Sequence, residues 1–197
     1  EANKTAPRRE GTVLFESADG TNVNITSSRD MARQGIYLND LQKVGIDMVT
    51  NLSKSTGLTF RFFQSERNSD GVYVSKYSKE SNGKQKASPN GFYKNGEIYV
   101  DINAGNNGEG LIMFTVSHEL VHFMRDFAPE QFDKFAGFLF ASYAKKGLSV
   151  RHAVHQEMMS HQSLKYDEAY EEVVARLSES FLRDAHLSEK SKALYNA

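Results

Sequence analysis

The segment Thr115-Val116-Ser117-His118-Glu119-Leu120-Val121-His122-Phe123 carries two histidines four residues apart, with a glutamate directly after the first. On a helix, residues four apart stand one above the other on one face. Both imidazoles can then reach one metal ion at a distance of about 2.0–2.1 Å. Glu119 beside the first ligand can take a proton from a metal-bound water and pass it to a leaving amine. Zinc makes this feasible near neutral pH by bringing that water's pKa to about 7. The pattern therefore predicts His118 and His122 as metal ligands, Glu119 as the catalytic base, Zn2+ as cofactor and peptide-bond hydrolysis as the reaction. At average residue usage HExxH arises by chance in a chain of this size on the order of once in a hundred or more. The bland alternative is a pair of core or surface histidines on a helix that happens to hold a glutamate. The apolar neighbours Phe114, Val116, Leu120, Val121 and Phe123 suit a helix buried under a sheet, with its polar residues turned into a cleft.

A catalytic zinc site takes a third protein ligand and keeps a position open. His122 is followed by Phe-Met-Arg-Asp-Phe-Ala, which lacks the third histidine of the metzincin pattern. Acidic donors recur downstream, in Tyr166-Asp167-Glu168-Ala169-Tyr170-Glu171-Glu172-Val173-Val174-Ala175-Arg176. Here the chain resembles the gluzincins, zinc peptidases whose third ligand is a glutamate on a second helix, followed three positions later by Ala or Ser. Glu172 followed by Ala175 fits that pattern, and Glu171 followed by Val174 does not. A helical wheel pulls the other way. Tyr170, Val173, Val174, Leu177 and Phe181 form the apolar face, Glu171 borders it beside Ala175 and Ser178, and Glu172 lies on the far side with Arg176, Glu179 and Arg183. On the wheel alone, Glu172 reads as a solvated partner of Arg176 at i,i+4. The resemblance makes Glu172 the preferred third ligand and leaves Glu171 open. Many gluzincins place an aspartate four residues after the ligand to steady a zinc histidine. This chain has Arg176 there, so support for the imidazoles must come from elsewhere.

A wider stretch, from residue 91 to 182, resembles the metallopeptidase domains of large polyvalent proteins of phage and mobile elements of gut bacteria. It is carried by Gly96-Glu97-Ile98-Tyr99-Val100-Asp101-Ile102-Asn103-Ala104-Gly105, by the HExxH segment and by Tyr166 to Ala175. The resemblance implies a zincin-like fold, a peptide or protein substrate, and an edge strand at Ile98 to Ile102 that pairs with extended substrate through its backbone. A zincin fold used as a binding or sensor module is the rival reading. Its usual mark is the loss of the glutamate, and Glu119 is present.

Other residues invite chemistry less strongly. His152 and His155 are three apart on one expected helix with no acidic base, and read as surface or packing residues. They would be the obvious fourth donors if the zinc site were structural. His161 shares that helix, and His186 reads as exposed. Tyr166 or Tyr170 would be placed to bind an oxyanion, although Tyr170 lies on the apolar face. The stripe Phe132, Phe135, Ala136, Leu139, Phe140 and Tyr143 reads as core.

The elements that must position these residues follow from periodicity and punctuation. Leu38, Leu41, Val44, Met48, Val49 and Leu52 recur at helical spacing, predicting one helix from Arg29 to about Ser55, ended by Gly57. Leu58 to Phe63, Gly71 to Tyr77 and Ile98 to Ile102 read as strands, and Asn95-Gly96 as a tight hairpin turn. Lys79 to Gly91 reads as a flexible loop and Gly105 to Gly110 as a turn. The active-site helix runs from Gly110 to Asp126. Pro129 opens the next, which Gly147 ends; Ser149 caps a third, and Asp167 starts a fourth, reaching about Arg183 before a short tail helix. Strands first and helices last predict an α+β fold: a small mixed or antiparallel sheet packed on the HExxH helix, then a mostly helical C-terminal half.

With 197 residues the chain is long enough to bury a core. Residues 1–28 read as a loosely held polar arm with a short strand-like patch at Thr12 to Phe15, and 29–197 as a single domain, strand-rich over 58–104 and helical over 110–197. The absence of cysteine excludes disulfides and cysteine-type zinc sites. A net charge of −1 gives no global attraction to nucleic acid. No apolar run approaches the roughly 20 residues of a membrane span. Glu1 to Glu10 lacks a signal peptide's apolar core, but the chain opens without Met, which leaves room for a removed leader or a larger parent protein.

Overall fold

Along Thr59–Phe63 and Glu97–Asp101 every second side chain is buried, the period of a strand with one face in a core. The computed structural model describes residues 11–103 and 111–195, with backbone alone for Leu111 and for 185–195. The first ten residues and the turn expected at Gly105 to Gly110 lie outside the described residues.

In chain order the elements are β1 (Val13–Glu16), β2 (Asn22–Asn24), α1 (Ser28–Arg33), α2 (Asp40–Thr56), β3 (Thr59–Phe63), β4 (Glu66–Arg67), β5 (Tyr73–Val74), β6 (Glu80–Ser81), β7 (Lys84–Gln85), β8 (Gly91–Lys94), β9 (Glu97–Asp101), α3 (Leu111–Phe127), α4 (Pro129–Ala144), α5 (Val150–Ser160) and α6 (Tyr166–Tyr195). The class is α+β. The chain forms two compact units, Glu1–Val116 and Ser117–Ala197, where one domain was expected; the division falls within α3.

The first unit holds a five-stranded mixed sheet of order β2-β1-β3-β9-β8. β1 and β3 run parallel, as do β3 and β9, while β2 and β8 pair antiparallel at the two ends. Residues 11–28 are therefore no loose arm. β1 is an inner strand with Val13 and Phe15 buried, and Ile25 is buried just beyond β2. The strand Ile98 to Ile102 is no edge either: β9 has β3 on one side and β8 on the other. Parallel partners arrive from distant sequence, so neither fact can be read locally.

The helix expected over residues 29–55 is two. Gly35 takes a left-handed φ of 76°, and the Ile36 N–H donates back to the Met31 carbonyl at 3.2 Å, closing α1 in a Schellman pattern. A capping box then starts α2: Asn39 Oδ1 accepts from the Gln42 N–H, and Gln42 Oε1 accepts from the Asn39 N–H, both at 2.8 Å. Gln42 also donates through Nε2 to the Ile102 carbonyl at 2.8 Å, tying the start of α2 to the end of β9. The apolar period of α2 is real, but the face differs from the expected one. Leu41, Val44 and Met48 are about half exposed, while Gly45, Ile46, Val49, Thr50 and Ser53 are buried. The polar members of that buried face are satisfied, Thr50 Oγ1 by the Asp47 carbonyl and Ser53 Oγ by the Leu58 carbonyl. At Gly45 an added Cβ would stand 3.0 Å from Ile112 Cβ, so the glycine permits the close approach of α2 to the first turn of α3.

Asn95 and Gly96, with φ of 53° and 81°, form the expected turn between β8 and β9. Asn82 and Gly83, at 55° and 71°, do the same between β6 and β7. The segment expected as a flexible loop thus contains a two-residue hairpin.

The second unit is helical. Pro129 occupies the first turn of α4, and Ser149 Oγ caps α5 by accepting from the His152 N–H. Phe132, Ala136 and Leu139 are fully buried with Val121, Val174 and Ala175, so α3, α4 and α6 share one core. Val154, Ala169 and Val173 form a second cluster between α5 and α6. α6 runs unbroken to Tyr195 rather than ending near Arg183; the exposure expected of His186 lies outside the described side chains. Among the described residues no helix is long and apolar enough to cross a membrane.

Candidate metal centre

His118 and His122 leave α3 one turn apart, with ring centroids 5.2 Å apart. Opposite them stands α6. Its approach is close because Ala175, fully buried, presents only a methyl group to the core around Val121. Ser178 fastens the contact, its hydroxyl 3.1 Å from the Ser117 carbonyl and 2.7 Å from that of Ala175.

Glu172 is the carboxylate that faces both imidazoles. His118 Nε2 lies 3.6 Å from Glu172 Oε1, and His122 Nε2 lies 3.8 Å from Glu172 Oε2. Glu171 goes instead to the other ring nitrogen of His122, Nδ1, at 2.6 Å. An ionised carboxylate only accepts, so Nδ1 donates and a neutral His122 turns the lone pair of Nε2 toward Glu172. Glu179 stands 3.8 Å from His118 Nδ1, too far for a hydrogen bond but close enough to act on its charge. The support missing at position 176 is thus divided between Glu171 and Glu179. The helical wheel places Glu179 with Glu172 on one face of α6 but gives it no part at the histidines.

Burial opposes a charge on His118, but Glu172 and Glu179 outweigh it, and the imidazole is pushed up to about 9. Glu172 is held down to about 2, chiefly by the His118 imidazole beside it, against the effect of burial. Both shifts describe a place where positive charge is favoured.

Two imidazole nitrogens and a carboxylate oxygen, all within 4.8 Å of one another, make a group able to hold a metal ion. Ligands at about 2.0–2.1 Å in a tetrahedron lie roughly 3.3–3.4 Å from each other. The His–Glu contacts, 3.6 Å to Oε1 and 3.8 Å to Oε2, and the 4.8 Å span of the three donors are wider, so the side chains would have to draw together around an ion.

Glu119 is 7% exposed. Around α3 it lies about 100° from His118 and about 60° from His122, so all three fall on one side of the helix. The remaining expected residues lie elsewhere. His152 and His155 line a pocket on α5 with Ser149, Arg151, Met158 and Tyr166, and neither joins the metal-binding group. His161 pairs with Glu157 at 2.8 Å. The Tyr170 ring packs against Phe132 and Phe140.

Comparison of the chain with protein-family models, with curated proteins and with solved structures returned no match. The chemistry of the centre is read from its own side chains.

Proposed function

We propose that the chain is a zinc-dependent peptidase of the zincin type, with His118, His122 and Glu172 holding the metal and Glu119 acting as general base. The observation that carries this is the convergence of both Nε2 atoms on Glu172, with the buried Glu119 one residue from His118. Zinc held there would polarise a scissile carbonyl and make water a nucleophile near neutral pH. Glu119 would take a proton from the attacking water and deliver it to the leaving nitrogen as the C–N bond breaks. Glu171 holds the His122 tautomer that keeps Nε2 available, and Glu179 favours the corresponding orientation of His118. Two imidazoles and one carboxylate also suit iron(II), but Glu119 has a task in hydrolysis and none as a bystander to iron.

The test is turnover of an unstructured protein such as casein by the zinc-loaded chain, with Glu119→Gln as control. Cleavage that is abolished by chelation, restored by zinc and lost in Glu119→Gln while zinc is retained supports the proposal. A zinc-loaded chain with no turnover points to a binding or sensor module instead.

A further inference from the structure

Position 176, where many gluzincins carry an aspartate, is here an arginine with a defined set of partners. Its Nε–H donates to Glu172 Oε1 at 3.2 Å. Its other two nitrogens grip Glu157: Nη1 lies 2.9 Å from Oε2, and Nη2 donates to Oε1 at 3.0 Å. Glu157 projects from α5 and is 6% exposed, and its Oε1 is also 2.8 Å from His161 Nδ1. A chain of contacts thus runs from His161 through Glu157 and Arg176 to Glu172 and on to the two imidazoles.

The geometry gives this chain a direction. A guanidinium is a planar, rigid fork, so a two-point grip on one side fixes where its remaining N–H points. Glu157 supplies that grip from a separate helix, and the N–H then points at one oxygen of Glu172. Lysine, a point charge on a flexible stem, could neutralise Glu172 but could not hold both acids in a fixed relation.

We propose that Arg176, clamped by Glu157, is a positioning residue that fixes the orientation in which the Glu172 carboxylate faces the two imidazoles. The inference rests on the metal-centre reading above. Its consequence is a carboxylate kept in one orientation, with part of the accepting capacity of Oε1 taken up by the arginine. Without the clamp, the carboxylate would be free to turn and to offer both oxygens to a cation as a fourth and a fifth donor.

Cobalt(II) in place of zinc reports this directly, because its visible absorption is strong when four-coordinate and weaker with a fifth ligand. The experiment compares the full chain with Arg176→Gln, Arg176→Lys and Glu157→Gln, recording the cobalt spectrum, zinc affinity by chelator competition and thermal unfolding. The expected result is an intense band in the unsubstituted chain, a loss of intensity in all three variants, and zinc affinity reduced about 10–100-fold. Failure of lysine to restore the spectrum would mark the fork, not the charge, as the cause. Lower melting temperatures with an unchanged spectrum and affinity would overturn the inference, leaving Arg176 as a staple between α5 and α6. If Glu157→Gln fails to fold, the Arg176 variants decide, since that side chain is half exposed. An unsubstituted chain that takes up neither ion overturns the metal-centre reading itself, an outcome distinct from a chain that binds while its variants behave identically.

Discussion

The two units treat their acids in opposite ways. On the sheet, Glu16 is paired with Lys76 and accepts from the Tyr77 hydroxyl, and Glu97 is paired with Arg61 at 2.5 Å. Each of these two acids has a permanent cation. In the helical unit, Glu171, Glu172 and Glu179 crowd two histidines whose charge is conditional, with Glu157 behind them. Their fixed cations are Arg176, shared between Glu157 and Glu172, and Arg183 on Glu179. A balanced set of charges is a structural device. An excess of carboxylate aimed at two lone-pair nitrogens is a demand for a cation, and the unequal balance separates a site from a stabilised surface.

Substitutions can break or sharpen this contrast. The largest effect is expected at Glu119: replacing it with Gln should lower peptide turnover about 10²–10⁴-fold without changing zinc stoichiometry, read by steady-state kinetics beside metal analysis. In the sheet unit, Ile46→Ala should cost about 2–5 kcal/mol in urea melts, since Ile46 is fully buried. Val44→Ala, two residues away on the exposed face of α2, should stay within about 0.5 kcal/mol. Equal costs would mean that α2 buries a different face. Next, Glu171→Gln should weaken zinc binding about 10–100-fold in a chelator titration, because the amide no longer enforces the His122 tautomer. An unchanged affinity would place Glu171 with the structural acids of the sheet.

The smallest effect belongs to Glu16, whose paired environment predicts a pH signature and little else. Burial pushes its carboxyl up, but Lys76, Tyr77 and Arg61 together bring it below its ordinary value of 4.5. A carboxyl lowered on folding stabilises above its unfolded value, and that contribution is lost as pH falls through the folded one. The stability gap between the unsubstituted chain and Glu16→Gln should be under about 1 kcal/mol at pH 7 and should close below pH 4.5. A gap that widens in acid would contradict the assignment.

What could be read from sequence is what is encoded within one element. The HExxH spacing, the Asn95-Gly96 turn, Pro129 at the head of α4 and Ser149 at the head of α5 depend on neighbours in the chain, and each lies where expected. Features set by distant segments escaped. The inner position of β1 needs β3, and that of β9 needs both β3 and β8. The buried face of α2 contains Gly45, Thr50 and Ser53, which no hydrophobic pattern marks, while its exposed face carries the larger apolar residues. At the centre, Glu172 and Glu171 are adjacent in sequence and both near the histidines. Only the packing of α6 on α3 sends one to the Nε2 side and the other to Nδ1. The grip of Arg176 on Glu157 stayed hidden because Glu157 is on another helix.

The most direct measurement is X-ray absorption at the zinc edge on the zinc-loaded chain, alongside His118→Ala, His122→Ala and Glu172→Ala. One zinc per chain is expected, with two imidazole nitrogens and a carboxylate oxygen at about 2.0–2.2 Å, and each substitution should remove its own scatterer and most of the affinity. A chain that takes up no zinc, or zinc whose shell is unchanged when both histidines are gone, would contradict the account.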